Sequence, residues 1–180
     1  IGRQLMELAL EACKPATAIL NASAAGAPLY LSQGFVEFGT LEQRQGPAQS
    51  VVLEPLAAGE HCRSLNAQDQ ARQLALANAG SGLDRSAVFA QLHGTIEHSA
   101  GIECDAQLQA FALLRRAGRG HCIGPVIAQS PRQARHLIAT LLARIPGQFV
   151  RIDVPQSSGL SEWLTLVGLE PVDRVTQMAL

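Results

Sequence analysis

Two short segments, PLYLSQGF at residues 28–35 and EWLTLVGL at residues 162–169, follow one pattern: a helix runs into a glycine, and an apolar residue then opens a strand. Gly34 answers Gly168, and Phe35 answers Leu169. The likeness extends upstream, where helical spacing at 3–13 matches that at 131–145 and the apolar run 16–23 matches 149–154. A helix-strand-helix-strand unit met twice restricts the fold more than any single segment, because self-similarity of this kind marks a duplicated unit. The second copy carries further elements ahead of it and reads as complete. The first reads as the last half of such a unit, so its helix is expected to follow a strand at the centre of a sheet.

Between the copies the spacing predicts a full set of elements. Leu5, Leu8, Ala9, Ala12 and Cys13 make the stripe of the first helix, which Lys14-Pro15 ends. A second helix is expected over 24–33 and a strand over 34–41. Residues 43–50, QRQGPAQS, are polar with a Gly-Pro break and read as a linker, giving a first unit at 1–42 and a second at 51–180. SVVLEPL at 50–56 reads as a strand, 66–80 and 84–94 as helices, and 95–99, 106–116 and 120–129 as a meander turning at Ala100-Gly101 and again at 118–120. The helix from 131 is the best marked: Ser130 is its N-cap, Pro131 its first residue and Gln133 completes a capping box. A strand at 149–154, a helix at 159–168 and one or two closing strands complete the reading.

Composition narrows the function. Hydrophobic residues are 47% of the 180 and aromatics only 4%, so the core is expected to be Leu, Ala, Val and Ile between helices and a sheet. With a net charge of -1 and interleaved signs, no field favours nucleic acid or an anionic membrane. No apolar run nears a membrane span and no leader is visible, so a cytoplasmic protein is expected. Cys13, Cys62, Cys104 and Cys122 have no framework spacing and read as reduced thiols; His93, His98 and Cys104 match no zinc spacing, so no metal is expected.

The residues around the first copy resemble a known family. IGR at a helix start followed by ILNASAAGAPLYLSQGF is similar to the GNAT acetyltransferases, and GHCIGPVIAQSPRQARHLIATLLARIPG with IDVP resembles the second domain of bacterial tandem members. The resemblance implies an α/β (α+β) fold, a mixed central sheet flanked by helices, with the first of two copies incomplete. It also implies acetyl-CoA as co-substrate and an amine of a small molecule or peptide as acceptor. Gly2, Arg3 and Gln4 would then be what remains of the turn that holds pyrophosphate, a role suited to a helix N-terminus. Tyr30, the chain's one tyrosine, stands where the family places a general acid able to protonate a leaving thiolate. Asn21 matches a position that holds the pantetheine arm or the substrate, or else caps the following helix.

The second copy departs from that pattern. Leu164 replaces the tyrosine, and the turn AQSPRQA has no glycine and puts Pro131 where an amide is needed. The second copy is therefore expected to have lost the cofactor, leaving chemistry to the first. Asp153 interrupts an apolar strand and is a weaker candidate for selecting an amine, against the alternative of an Asp bonding a loop amide. A non-catalytic binding or dimerising module stays open beside the enzyme, and a homodimer is compatible with either.

Overall fold

The computed structural model describes residues 2–180; Ile1, which shares the expected phosphate loop with Gly2, lies outside the described residues. Along the chain run α1 (Gly2–Cys13), β1 (Ile19–Ala22), α2 (Ala27–Leu31), β2 (Val36–Pro47), β3 (Glu60–Ser64), α3 (Gln70–Ser81) and α4 (Ser86–Leu92). There follow β4 (Ile96–Cys104), β5 (Gln107–Ala117), β6 (Gly120–Ile127), α5 (Pro131–Leu142), β7 (Phe149–Pro155), α6 (Ser161–Leu166) and β8 (Glu170–Ala179). The strands form one eight-stranded sheet in the order β1-β8-β2-β7-β6-β5-β4-β3. Neighbours are antiparallel except β6 and β7, which run parallel. Among the described residues no helix is long and apolar enough to cross a membrane.

β5 explains why the sheet is covered on both sides. Its residues 110–114, AFALL, are fully buried on both faces, the mark of a strand between two layers. Ala110, Ala112 and Leu114 face α5, whose stripe of Leu137, Ile138 and Leu141 seals that side. Phe111 and Leu113 face α3 and α4 with Ala77 and Phe89. A third cluster, around Ala22, Phe35 and Met178, receives Met6 and Leu10 of α1.

The unit seen twice in the sequence recurs in the backbone. Gly34 and Gly168 both have positive φ, +92° and +83°. The amides of Phe35 and Leu169 donate to the carbonyls of Tyr30 and Leu164 at 3.1 and 2.9 Å, closing the same turn. That alignment makes Leu41 the equivalent of Val175, and these two residues are paired across β2 and β8. The ladder therefore maps onto itself about a local twofold axis between them. β8 lies between β1 and β2, and β2 lies between β8 and β7, so each unit's last strand fills the gap between the other unit's two strands.

This interlocking corrects the linker expected at 43–50. Residues 43–47 are strand, paired to β7 from Gln43↔Asp153 to Pro47↔Phe149; Arg44 turns into a buried seam, while Gln43 and Gln45, on the other face, are half-buried. Residues 50–56 are not strand either. They cross α5, with Val51 and Leu56 on the core and Glu54 bound by Arg135 at 2.6 and 3.0 Å. The turn expected at Ala100-Gly101 falls instead at Asp105 and Ala106, both with positive φ as a two-residue hairpin needs. Gly101 answers to packing, since a Cβ there would stand 2.5 Å from Leu65.

Gly46 marks the tightest approach in the seam: a Cβ at that position would lie 2.1 Å from the Gly168 carbonyl oxygen. Gly46→Ala is expected to cost about 2 kcal/mol, since backbone rather than a flexible side chain must yield. A denaturant titration checks it; an unchanged midpoint would show that β2 and the turn at Gly168 move apart freely.

Candidate functional site

The first site is assembled on α1 and α2. Gly2 opens α1 and is exposed, and a Cβ there would meet nothing within 4 Å. Helix-opening amides have no partner inside the helix, and no acidic side chain in this first turn neutralises them. Exposed Arg3 donates from its guanidinium to Ser32 Oγ at 2.9 Å, and Gln33 Nε2 donates to the Arg3 carbonyl at 3.4 Å. Those bonds hold the start of α1 against the end of α2, the helix that carries Tyr30. Tyr30 is half-buried, its ring edge-on to Phe35 with centroids 5.8 Å apart. Gln4 is exposed in the same first turn.

Asn21 does not join this group. In β1 the buried or half-buried positions are Leu20 and Ala22, which face α1, so Asn21 projects from the opposite face and is exposed. The pairing supplies its counterpart: Asn21 opposes Gln177 as Asp153 opposes Gln43, and Gln43 is the equivalent of Gln177. Asn21 and Asp153, singled out separately in the sequence, are thus one position in two copies.

The second site lies where β6 and β7 part. Their parallel pairing covers only His121↔Val150 to Ile123↔Ile152. Beyond it opens a cleft of about 400 Å³ whose walls include Gly124, Val126, Val154 and Leu160. Its helical end is closed from within. Ser130 Oγ accepts from the Gln133 amide at 3.3 Å, Gln133 Oε1 accepts from the Gln129 amide at 2.9 Å, and Pro131 has no N–H. These residues do not fit a pyrophosphate. Asp153 lines the cleft, but Arg151 holds its carboxylate with two bonds at 2.8 and 2.7 Å, not a loop amide. Leu164, the counterpart of Tyr30, is wholly buried.

Three charged clusters were not legible in the sequence. In the seam, Arg44 donates to Glu42 at 3.0 and 2.7 Å and to Thr165 Oγ1 at 2.8 Å, while Ser161 and Arg174 donate to the same carboxylate. Arg44's bonds, ahead of the others, hold the Glu42 carboxyl below its usual range. Near the β3 edge, Arg63 pulls Asp69 down to about 2 and also binds Glu103. At the start of β6, Nε2 of buried His121 lies 2.6 Å from Glu97, whose carboxyl is lowered by Arg116 first and His121 second. The Glu-x-Arg spacing at 42 and 44 puts both side chains on one strand face, a signal that a linker assignment hides. Among the described residues no group of three His, Cys, Asp or Glu could hold a metal ion.

Residues 74–180 match the profile of the acetyltransferase (GNAT) domain. No curated protein matches in sequence. A putative acetyltransferase from Pyrococcus horikoshii is similar in structure, with a TM-score of 0.72 at 19% identity over 100% of this chain and 59% of that one. A GCN5-related N-acetyltransferase from Anabaena variabilis gives 0.63 at 14% identity over 98% and 48%. One from Sphaerobacter thermophilus gives 0.65 at 12% over 92% and 60%. The chain thus spans less than two thirds of the length of each of these three structures.

Proposed function

Since the chain belongs to the GNAT acetyltransferase family, we propose that it is part of an acetyl-CoA-dependent N-acetyltransferase acting on an amine of a small molecule or peptide, with the chemistry in the first unit. The domain reading that goes with this is a first unit, ending with β2, that is the C-terminal half of a GNAT domain, followed by a degenerate second one, and a cytoplasmic protein. One contrast carries the proposal: the first turn of α1 is exposed, holds no acidic side chain and is tied to the helix of Tyr30, whereas α5 caps itself and the counterpart of Tyr30 is a buried leucine.

The residues of the first unit fit the cofactor's charge. Amides of residues 2–4 would hold the pyrophosphate with the positive end of the α1 dipole. Bound acetyl-CoA would supply a thioester whose acetyl group the amine takes. Tyr30 Oη holds the proton that a departing thiolate needs, and alignment of the two reactants does much of the rest. Tyr30 can be oriented by its packing on Phe35. Asn21, on the other face of β1, would serve the substrate side of the sheet rather than the pyrophosphate.

Titrating acetyl-CoA into the full-length protein while following backbone amides tests this. Saturable shifts at residues 2–4 are expected. No binding at about millimolar cofactor, some 4 kcal/mol of affinity, overturns the reading. The interlocked strands favour a second reading for the downstream unit alone, a non-catalytic module that completes the first unit's sheet.

A further inference from the structure

The local twofold axis between β2 and β8 gives each strand a choice of partner. The alignment that pairs Leu41 with Val175 also makes Glu42 the equivalent of Thr176, Arg44 of Met178 and Gly46 of Leu180. Even the irregularities correspond: the register shift at Gln43 and Arg44 maps onto the one at Glu37 and Gly39. With backbones so alike, two copies of the chain could pair β2 with β2 and β8 with β8 about axes of the same kind. The side chains at the seam are what differ.

Glu42 and Arg44 are each 4% exposed, and they find partners only on the second unit. Arg44 donates to Thr165 Oγ1 at 2.8 Å, while Ser161 and Arg174 donate to Glu42 at 2.8 and 3.0 Å. The first unit has Leu31, Ala27 and Thr40 at the corresponding places, and of these only Thr40 carries a polar side-chain group. Wholly buried Met178 packs there instead, with Ala22 and Phe35. Pairing β2 with a second β2 would therefore set a buried ion pair against Ala27 and Leu31, without the groups that satisfy it. Pairing β8 with a second β8 fails on size. Leu180 would take the place of Gly46, where a Cβ collides with the Gly168 carbonyl oxygen.

We infer that Glu42, Arg44 and Gly46 determine which partner β2 accepts, namely the second unit of its own chain and not β2 of a second copy. Charge excludes one like pair and size the other, so only the unlike pair meets both demands. Partner choice at the seam is independent of any chemistry in the first unit.

Leu41 lies at the axis, so a cysteine there reports its neighbour. In the full-length protein, oxidation of Leu41→Cys followed by mass mapping of linked peptides separates the two arrangements. Like pairing sets residue 41 against residue 41 of a second copy and gives a linked dimer; the native ladder sets it against Val175 and gives none. Leu41→Cys with Val175→Cys is expected to link within one chain, and failure of that link would overturn the inference by removing the axis. Glu42→Thr, Arg44→Met and Leu180→Gly together erase the differences between the strands. Refolded at about 1 mM, near the effective concentration of linked segments, this variant is expected to give at least about tenfold more of the 41-to-41 link than Leu41→Cys alone. Equal yields overturn the inference, as does an abundant 41-to-41 link without the three substitutions. Glu42→Leu and Arg44→Leu with Leu180→Gly provide a second background for the same measurement. If neither background folds, the cluster serves stability rather than choice of partner, which also overturns it.

Discussion

Arg44→Leu is expected to destabilise the protein by about 3 kcal/mol at neutral pH, lowering Tm by about 10 °C. Glu42 is only 4% exposed and receives two of its hydrogen bonds from Arg44. Without that guanidinium, a buried carboxylate keeps Ser161 and the mostly exposed Arg174 as partners. The sign with pH follows. Glu42 is depressed in the folded protein, so its pairing stabilises above the ordinary carboxylate value of 4.5 and is lost as pH falls through the depressed value. In the variant the carboxyl rises and takes up a proton readily. The deficit is therefore expected to be full at pH 7 and to narrow below about pH 4.5. Replacing both residues by apolar ones, Glu42→Leu with Arg44→Leu, is expected to recover much of the loss, since no charge is then stranded. Thermal melts of the three proteins at two pH values check this. A single variant as stable as the parent would mean that water enters the seam.

Tyr30→Phe is expected to lower kcat for acetyl transfer about 100-fold while leaving acetyl-CoA affinity unchanged, because in the proposed mechanism the phenol would serve as an acid and not as a grip. The ring stays against Phe35 and the cluster of Ala22 and Met178 in the variant, so stability should move little. A pH-rate profile sharpens the test: the limb that reports a protonated acid should disappear with the hydroxyl. Unchanged turnover would remove Tyr30 from the mechanism and leave it as a packing residue, the role that its counterpart Leu164 performs in the second unit.

Short-range signals were readable along most of the chain. The Ser130 cap, Pro131 and the stripe of α5 involve neighbours within one or two turns, and α5 begins where those residues place it. Gly34 and Gly168 marked the two helix-to-strand turns, and both adopt positive φ there. Local rules failed where a distant strand supplies the environment. Arg44 and Gly46 in QRQGP answer to Thr165 and Gly168, residues that approach only across the seam, as well as to Glu42 on their own strand. VVLEPL looked like a strand because its apolar content suits one, but strand formation needs an edge, and α5 offers charged side chains instead.

The candidate site divides in the same way. The self-capped start of α5 and the exchange of tyrosine for leucine are chemical facts of residue type, visible without coordinates. Side-chain direction was not. Only the alternation of β1 shows that Asn21 faces away from Gly2 and Tyr30, and only the ladder shows that Asn21 and Asp153 are equivalent. The sequence by itself determined the likeness between the two helix-strand-helix-strand segments, most of the elements within them and the self-capped start of α5, because caps, periodicity and turn glycines act over a few residues. Tertiary structure alone decided that the two copies interlock through β2 and β8 and that charges meet in the seam. Strand order is a long-range choice, made by which edges can pair once both units are present.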